Sequence, residues 1–198
     1  MFLKLKNKFL IIIFIFLICE TVFASEEITN TKEKINLYIE NFKNLSSEFI
    51  QIEGLDISTG FLYIKNKRIK IQYKDPTEII IILSKNKAMY FNKDLDEVEY
   101  FNPKKTIGDV FYNVFYNKNF FNDSVLSHKE KNLEINKKIY IEGEESILKV
   151  FFETSPLIIR RVVIEGIQKN KLTLSISNIN HSPIFEKNFF SMANPILK

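Results

Sequence analysis

Apolar residues follow two different periods along this chain, and the period changes near residue 45. Over 26–45, Ile28, Ile35, Tyr38, Ile39, Phe42 and Leu45 recur near helical spacing with acidic residues in the first turn, which predicts an amphipathic helix. From residue 46 the period becomes two. The stretches 46–54, 59–66, 68–75, 77–84, 87–94 and 97–102 read as consecutive short strands. Turns at 66–67, 85–86 and 93–96 are too short for parallel crossovers, which need about a dozen residues, so these strands are antiparallel neighbours. Within 106–121, Val110, Phe111, Val114 and Phe115 form one apolar face of a short helix. Strand patterns then resume at 133–143, 146–154, 156–167 and 171–180.

No repeat, low-complexity linker or composition break divides residues 25–198, so they read as one domain. The fold class is α+β: a single large antiparallel sheet with an N-terminal helix and a mid-chain helix. Roughly ten strands tend to curl, and two helices are little to cover them. Two interiors fit that pattern, a cavity able to hold a ligand or a dense core without one.

The first 24 residues stand apart. Lys4, Lys6 and Lys8 precede the apolar run 9–18, and Val22-Phe23-Ala24 offers a small-residue cleavage site before Ser25. The run falls short of the roughly 20 residues that span a bilayer, so an export signal over 1–24 is expected. Ile18 is a bulky neighbour for Cys19, unlike the small residue that precedes a lipid-modified cysteine. Loss of the segment removes the chain's one cysteine and lowers the net charge from +4 to +2. Arginine is confined to Arg68, Arg160 and Arg161, which argues against nucleic acid as a partner.

Catalytic chemistry finds little support. The two histidines are His128, in a polar stretch read as a solvated loop, and His181, beside Ser182 where Pro183 breaks a strand. No nucleophile-elbow, zinc-protease or phosphate-loop motif occurs. The expectation is a non-enzyme with no catalytic residue, no metal and no cofactor. A hydrolase using His181 and Ser182 is the rival from another class.

Several ordered features resemble the periplasmic outer-membrane lipoprotein carrier family, LolA. They are Phe49 and Gln51 after the first helix, Gly60 opening a strand, Pro76 ending the next, the aromatic pair Tyr90-Phe91, and the closing stretch 180–195. The resemblance spans nearly all of the chain after the signal. It implies an unclosed β-barrel with the helices as a lid over an apolar acyl-chain cavity lined by Phe49, Leu62, Ile69, Ile71, Ile80, Ile82, Met89 and Phe91. It also implies a lid latch at Lys65, where the family carries arginine, with Asn66 at the family's proline. The implied partners are acylated lipoproteins, an inner-membrane lipoprotein-releasing ABC transporter and an outer-membrane lipoprotein receptor, served by a monomeric periplasmic carrier. A lipid-anchored receptor relative and a lipid-binding or sensor domain of the same fold are the alternatives.

The N-terminal pattern makes one direct prediction. The exported protein should begin at Ser25 and carry no lipid, which intact-mass measurement of the periplasmic form would check; an acylated Cys19 as first residue would be contrary.

Overall fold

The computed structural model describes residues 30–41, 44–129, 132–167 and 170–197. The proposed export signal lies outside them. The first helix, α1, runs over 30–40, and the chain is already extended at Asn44, so Leu45 belongs to a strand and not to the helix. Six strands follow: β1 (Asn44–Glu53), β2 (Asp56–Lys65), β3 (Arg68–Asp75), β4 (Ile79–Leu83), β5 (Ala88–Asn92) and β6 (Glu97–Phe101). Helix α2 (Ile107–Tyr116) leads to β7 (Val125–Lys129), β8 (Asn132–Ile141), β9 (Glu144–Thr154), β10 (Leu157–Ile167) and β11 (Asn170–Asn180). The stretch expected as a solvated loop around His128 is therefore strand β7. It is short and lies at a sheet edge, where a clean alternation of apolar residues is not demanded.

All eleven strands form one antiparallel sheet in the order β6-β5-β4-β3-β2-β1-β11-β10-β9-β8-β7. Each half is a meander of hairpins, and the pairing of β1 with β11 joins them, with Phe49 opposite Ile176 and Gln51 opposite Leu174. The sheet does not close, because β6 and β7 remain its two edges. Its inner face and the two helices share one apolar core. Ile35 and Ile39 of α1 and Val110, Phe111, Val114 and Phe115 of α2 enter it. Leu62, Ile64 and Ile69 from one half of the sheet and Val150, Phe152 and Val162 from the other meet them there. This is an α+β unclosed barrel.

Local chemistry accounts for the joints. Thr106 caps α2 by accepting from the Gly108 amide at 3.1 Å, and Asp109 places negative charge in the first turn. Asn66 and Lys67 both take positive φ, 51° and 56°, the backbone of a tight two-residue hairpin turn. A proline is locked near φ −65° and could not occupy Asn66 in this turn.

Gly60 stands where β2 leaves no room for a side chain against β3. The pairing of β2 with β3 shifts register between Thr59 and Gly60, and a Cβ at Gly60 would lie 2.1 Å from the backbone oxygen of Gln72. Just across the sheet, Phe49 and Gln51 grip the same partner. Tyr73 meets the Phe49 ring edge-on at 5.2 Å, and its hydroxyl donates to Gln51 Oε1 at 2.8 Å. Burial, aided by the Glu53 carboxylate, pushes the Tyr73 phenol up to about 12.

These packing facts set two expectations. Gly60→Ala should cost roughly 2 kcal/mol or more, the scale of forced overpacking, seen as a lower urea midpoint with an unchanged slope. Gly54→Ala, with open space around it, should cost only about 1 kcal/mol for its left-handed backbone. The second concerns alkaline pH. An unfolded tyrosine ionises near 10.0 while folded Tyr73 keeps its proton to about 12, so the folded state binds more protons in that window. This group's contribution to stability is therefore complete below pH 10 and falls by about 1.4 kcal/mol per pH unit from 10 to 12. Denaturation midpoints of the wild type and Tyr73→Phe, compared across pH 9 to 12, should show a shallower decline in the variant.

Candidate functional site

One end of the sheet collects the end of β7, the start of β8, the turn between β9 and β10, the start of β1 and the end of β11. Helix α1 ends beside them, because Asn44 follows its last residues closely in sequence. Between helix and strand ends lies a partly open cleft of about 600 Å³. Thr31, Lys34, Leu37, Tyr38 and Asn41 form its helical wall, a stripe at i, i+3, i+6, i+7 and i+10. Asn44, His128, Leu133, Thr154, Leu157 and His181 form the other wall.

The cleft adjoins the core. Leu133 belongs to both, and Tyr38 and Leu157 pack against the core from the cleft side. The Tyr38 ring stands edge-on to Phe152 at 5.9 Å, and burial pushes its phenol above the ordinary range. Helix α1 therefore has two apolar faces, with Ile35 and Ile39 in the core and Leu37 at the cleft, half exposed. Its ties to the segment after α2 are polar and superficial. Lys32 donates to the Asn122 carbonyl oxygen at 2.8 Å, Asn36 to the Asn122 side chain at 3.2 Å, and Lys118 pairs with Glu40 at 3.3 Å. Such exposed contacts hold a helix lightly.

The residues expected to line an acyl cavity do not share one face. Phe49, Leu62, Ile69 and Ile71 point inward and are buried in the core. Ile80, Ile82, Met89 and Phe91 point the other way. Register places Ile82 opposite Lys70 and Ile80 opposite Gln72, while Ile81 and Leu83 stand opposite Ile71 and Ile69. Met89 and Phe91 follow Ile82 and Ile80 across the next pairing. An unbroken Ile79–Ile82 run carries no alternation, so only its pairing partner chooses its face. Ile69 is 0 % exposed.

The outer face has its own cover. Register forms a row Tyr63, Lys70, Ile82, Met89 and Tyr100 across β2 to β6. The segment after β11 crosses it. Phe189 meets Tyr63 edge-on at 4.9 Å and stacks under Lys70 Nζ at 3.9 Å, while Tyr100 donates its hydroxyl to the Met192 carbonyl oxygen at 3.0 Å. Ile82 and Met89 lie between these anchors, 2 % and 3 % exposed. Burial there, with Lys93 nearby, holds the Lys70 ammonium below its usual range. Phe185, Phe189 and Phe190 pack on one another at 5.0–5.2 Å, so the closing aromatic stretch is a structural strap.

Lys65 belongs to this outer side. Its Nζ lies 5.6 Å from the Phe185 ring, although the residue also borders a small opening beside Ile39 and Glu40. Tyr116 at the end of α2 ties helix to sheet, donating its hydroxyl to the Arg68 carbonyl oxygen at 3.0 Å. Of the two histidines, both reach the cleft, one from β7 and one just past β11. Ser182 is engaged locally, its amide donating to Asn180 Oδ1 at 2.9 Å. Among the described residues no group of three or more His, Cys, Asp or Glu side chains could hold a metal ion. One signal for the cleft was present in the sequence: Leu37 is an apolar residue off the stripe defined by Ile35 and Ile39.

Among the described residues no helix is long and apolar enough to cross a membrane. No curated protein sequence matches the chain. Among solved structures, an uncharacterized conserved protein from Thermus thermophilus is 8 % identical with a TM-score of 0.51, covering 84 % of this chain and 92 % of that one. A LolA superfamily protein from Nitrosomonas europaea is 9 % identical, TM-score 0.49, covering 81 % and 96 %. The MucA/MucB complex from Pseudomonas aeruginosa gives 5 %, 0.48, 82 % and 60 %. At such identities a likeness concerns the fold alone. The family model described as outer membrane lipoprotein carrier protein LolA matches residues 40–193, which include all eleven strands, α2 and most of the strap. The chain belongs to the LolA family of outer membrane lipoprotein carrier proteins.

Proposed function

We propose that the protein is a periplasmic carrier that shields the acyl chains of lipoproteins between the inner and outer membranes. The observation that carries this reading is the cleft between α1 and the strand ends. Its volume of about 600 Å³ falls within the roughly 300–1,000 Å³ of ligand sites, and Leu133 lies on both the cleft and the barrel core.

The physical task is shielding. Each exposed methylene costs about 0.8 kcal/mol in water, so an acylated protein needs a cover between two membranes. In this reading the acyl chains enter at Leu37, Tyr38, Leu133 and Leu157. Helix α1 then moves off the sheet and opens the core side. Lifting Ile35 and Ile39 costs about 1.5–3 kcal/mol each, which acyl chains replacing them at Phe49, Leu62, Ile69 and Ile71 would offset. The polar ties to Asn122 and Lys118 reform in water at little cost. An inner-membrane releasing transporter supplies the cargo, and an outer-membrane receptor takes it.

The test uses the half-exposed position. Leu37→Glu should leave the fold intact, since Leu37 is 50 % exposed, and should lower acceptance of lipoprotein released from spheroplasts at least tenfold, given the cost of burying a carboxylate against acyl chains. Wild-type acceptance by a folded variant would remove the cleft from the loading path. Failure of the wild-type protein to accept any lipoprotein would remove the carrier reading itself.

A further inference from the structure

Charge along the first six strands is sorted by rim. At the rim shared with the cleft, the β2–β3 junction carries Lys65, Lys67 and Arg68, and the β4–β5 junction carries Lys85 and Lys87. Lys104 and Lys105 follow β6 on the same rim, and Lys187 of the strap borders one hollow with Lys65 and Arg68. The opposite rim is acidic. Its β1–β2 junction holds Glu53 and Asp56, and its β3–β4 junction holds Asp75 and Glu78. Asp94, Asp96 and Glu97 stand between β5 and β6, beside Lys93, which pairs with Glu78. The eight residues of β3 hold the two rims about 26 Å apart, at roughly 3.3 Å per residue.

Register ties the basic rim to the cleft. Asn44, a cleft residue, lies opposite Lys65, and Lys65 lies opposite Arg68. Like charges directly across a strand pair repel. Among the described residues, none of the rim's basic side chains makes an ion pair. Lys65 and Lys87 lie over aromatic rings, Phe185 at 5.6 Å and Tyr100 at 4.6 Å, and Arg68 donates to the Phe190 carbonyl oxygen at 2.5 Å. Glu186 on the strap and Glu40 on α1 border the rim, the second already paired with Lys118. The basic line ends at Lys105, whose carbonyl oxygen accepts from the Glu142 amide at 2.8 Å. At the start of the strap, next to Phe185, Ile184 is 99 % exposed.

We propose that this rim docks the protein on a bilayer surface rich in anionic phospholipid. The lysines sit among headgroup phosphates, Ile184 enters the interfacial layer, and the cleft turns toward the membrane. A protein partner calls for an apolar, aromatic interface core from which lysine is depleted. These turns present lysine and asparagine, spread from β2 to β6. Such a long line of cations matches a continuous plane of phosphates, and an exposed isoleucine beside it matches the layer beneath. With the export signal removed the net charge is only +2, so the attraction comes from the sorting of charge. The same surface repels the acidic rim, which fixes the orientation as well. The inference adds to the carrier reading without depending on it.

The test is co-sedimentation of the cargo-free mature protein with phosphatidylethanolamine–phosphatidylglycerol vesicles, against phosphatidylcholine vesicles, at low ionic strength. The anionic vesicles should bind roughly tenfold more tightly or better, and high salt should remove the preference by screening. Each lysine at an anionic surface adds about fivefold. Lys67→Gln/Lys85→Gln/Lys104→Gln, at three exposed positions, should therefore lose at least about tenfold. Lys93→Gln/Lys138→Gln/Lys171→Gln removes the same charge from exposed positions outside the rim and should bind as the wild type does. An equal loss in both variants would assign the effect to net charge and overturn the docking rim. Equal binding of the wild type to anionic and neutral vesicles would overturn it too. If vesicles are ignored while the rim variant alone accepts less lipoprotein from spheroplasts, the rim meets an acidic protein and bilayer docking falls. The vesicle assay contains no cargo, so its failure leaves the carrier reading intact, and failure to accept lipoprotein leaves bilayer docking intact.

Discussion

The pairing of β1 with β11 is the contact on which the rest of the molecule depends. It joins a six-strand meander from the first half of the chain to a five-strand meander from the second, across more than a hundred residues of sequence. The closure entropy of so long a loop grows only slowly with length, so a ten-residue strand with buried Phe49 against Ile176 can offset it. Without that seam, each half would expose an apolar face with only part of a helix to cover it. With it, the sheet is wide enough to curl, and the helices fill the concave side.

The same seam builds the functional end. It brings the start of β1, the last residues of α1 and the exit of β11 to one place, which is where the cleft opens. It also launches the strap, since the chain leaving β11 at Asn180 must turn over one face or the other. The aromatic rings at 185, 189 and 190 and the outward-facing Tyr63 and Lys70 commit it to the convex side. The sheet is thus sealed on the outside by aromatic packing and on the inside by helices. Helix α1 is held to the segment after α2 through exposed polar contacts. That asymmetry suits a container whose wall stays put while its lid moves.

A lid of this kind needs a balance. Ile35 and Ile39 make leaving the core unfavourable, and the cleft-facing Leu37 and Tyr38 let a ligand engage α1 before it moves. In the proposed carrier, binding and opening would be coupled through one element with two apolar faces, because a ligand shifts a lid only by its differential contacts with the open and closed states. Tyr116 anchors the other helix to Arg68 on β3, and α2 buries five side chains where α1 buries Ile35 and Ile39.

Period-two alternation made most of the strands and their antiparallel order legible, and the spacing of Val110, Phe111, Val114 and Phe115 marked α2, because side-chain direction is a local property of the backbone. The ordered motifs Phe49-x-Gln51, Gly60 and Pro76 pointed to the family, and the structure gives two of them a joint role around Tyr73. Strand β7 was not legible because an edge strand carries little alternation. What the tertiary structure alone decided is which side of the sheet an uninterrupted apolar strand presents. Ile80, Ile82, Met89 and Phe91 went outward, under the strap, since register with β3 is a long-range choice that flips every side chain when it moves by one residue. It likewise decided that Lys65 faces the strap and that His128 and His181 share a cleft, for proximity across strand ends is set by the order of the whole sheet and by no neighbouring residue.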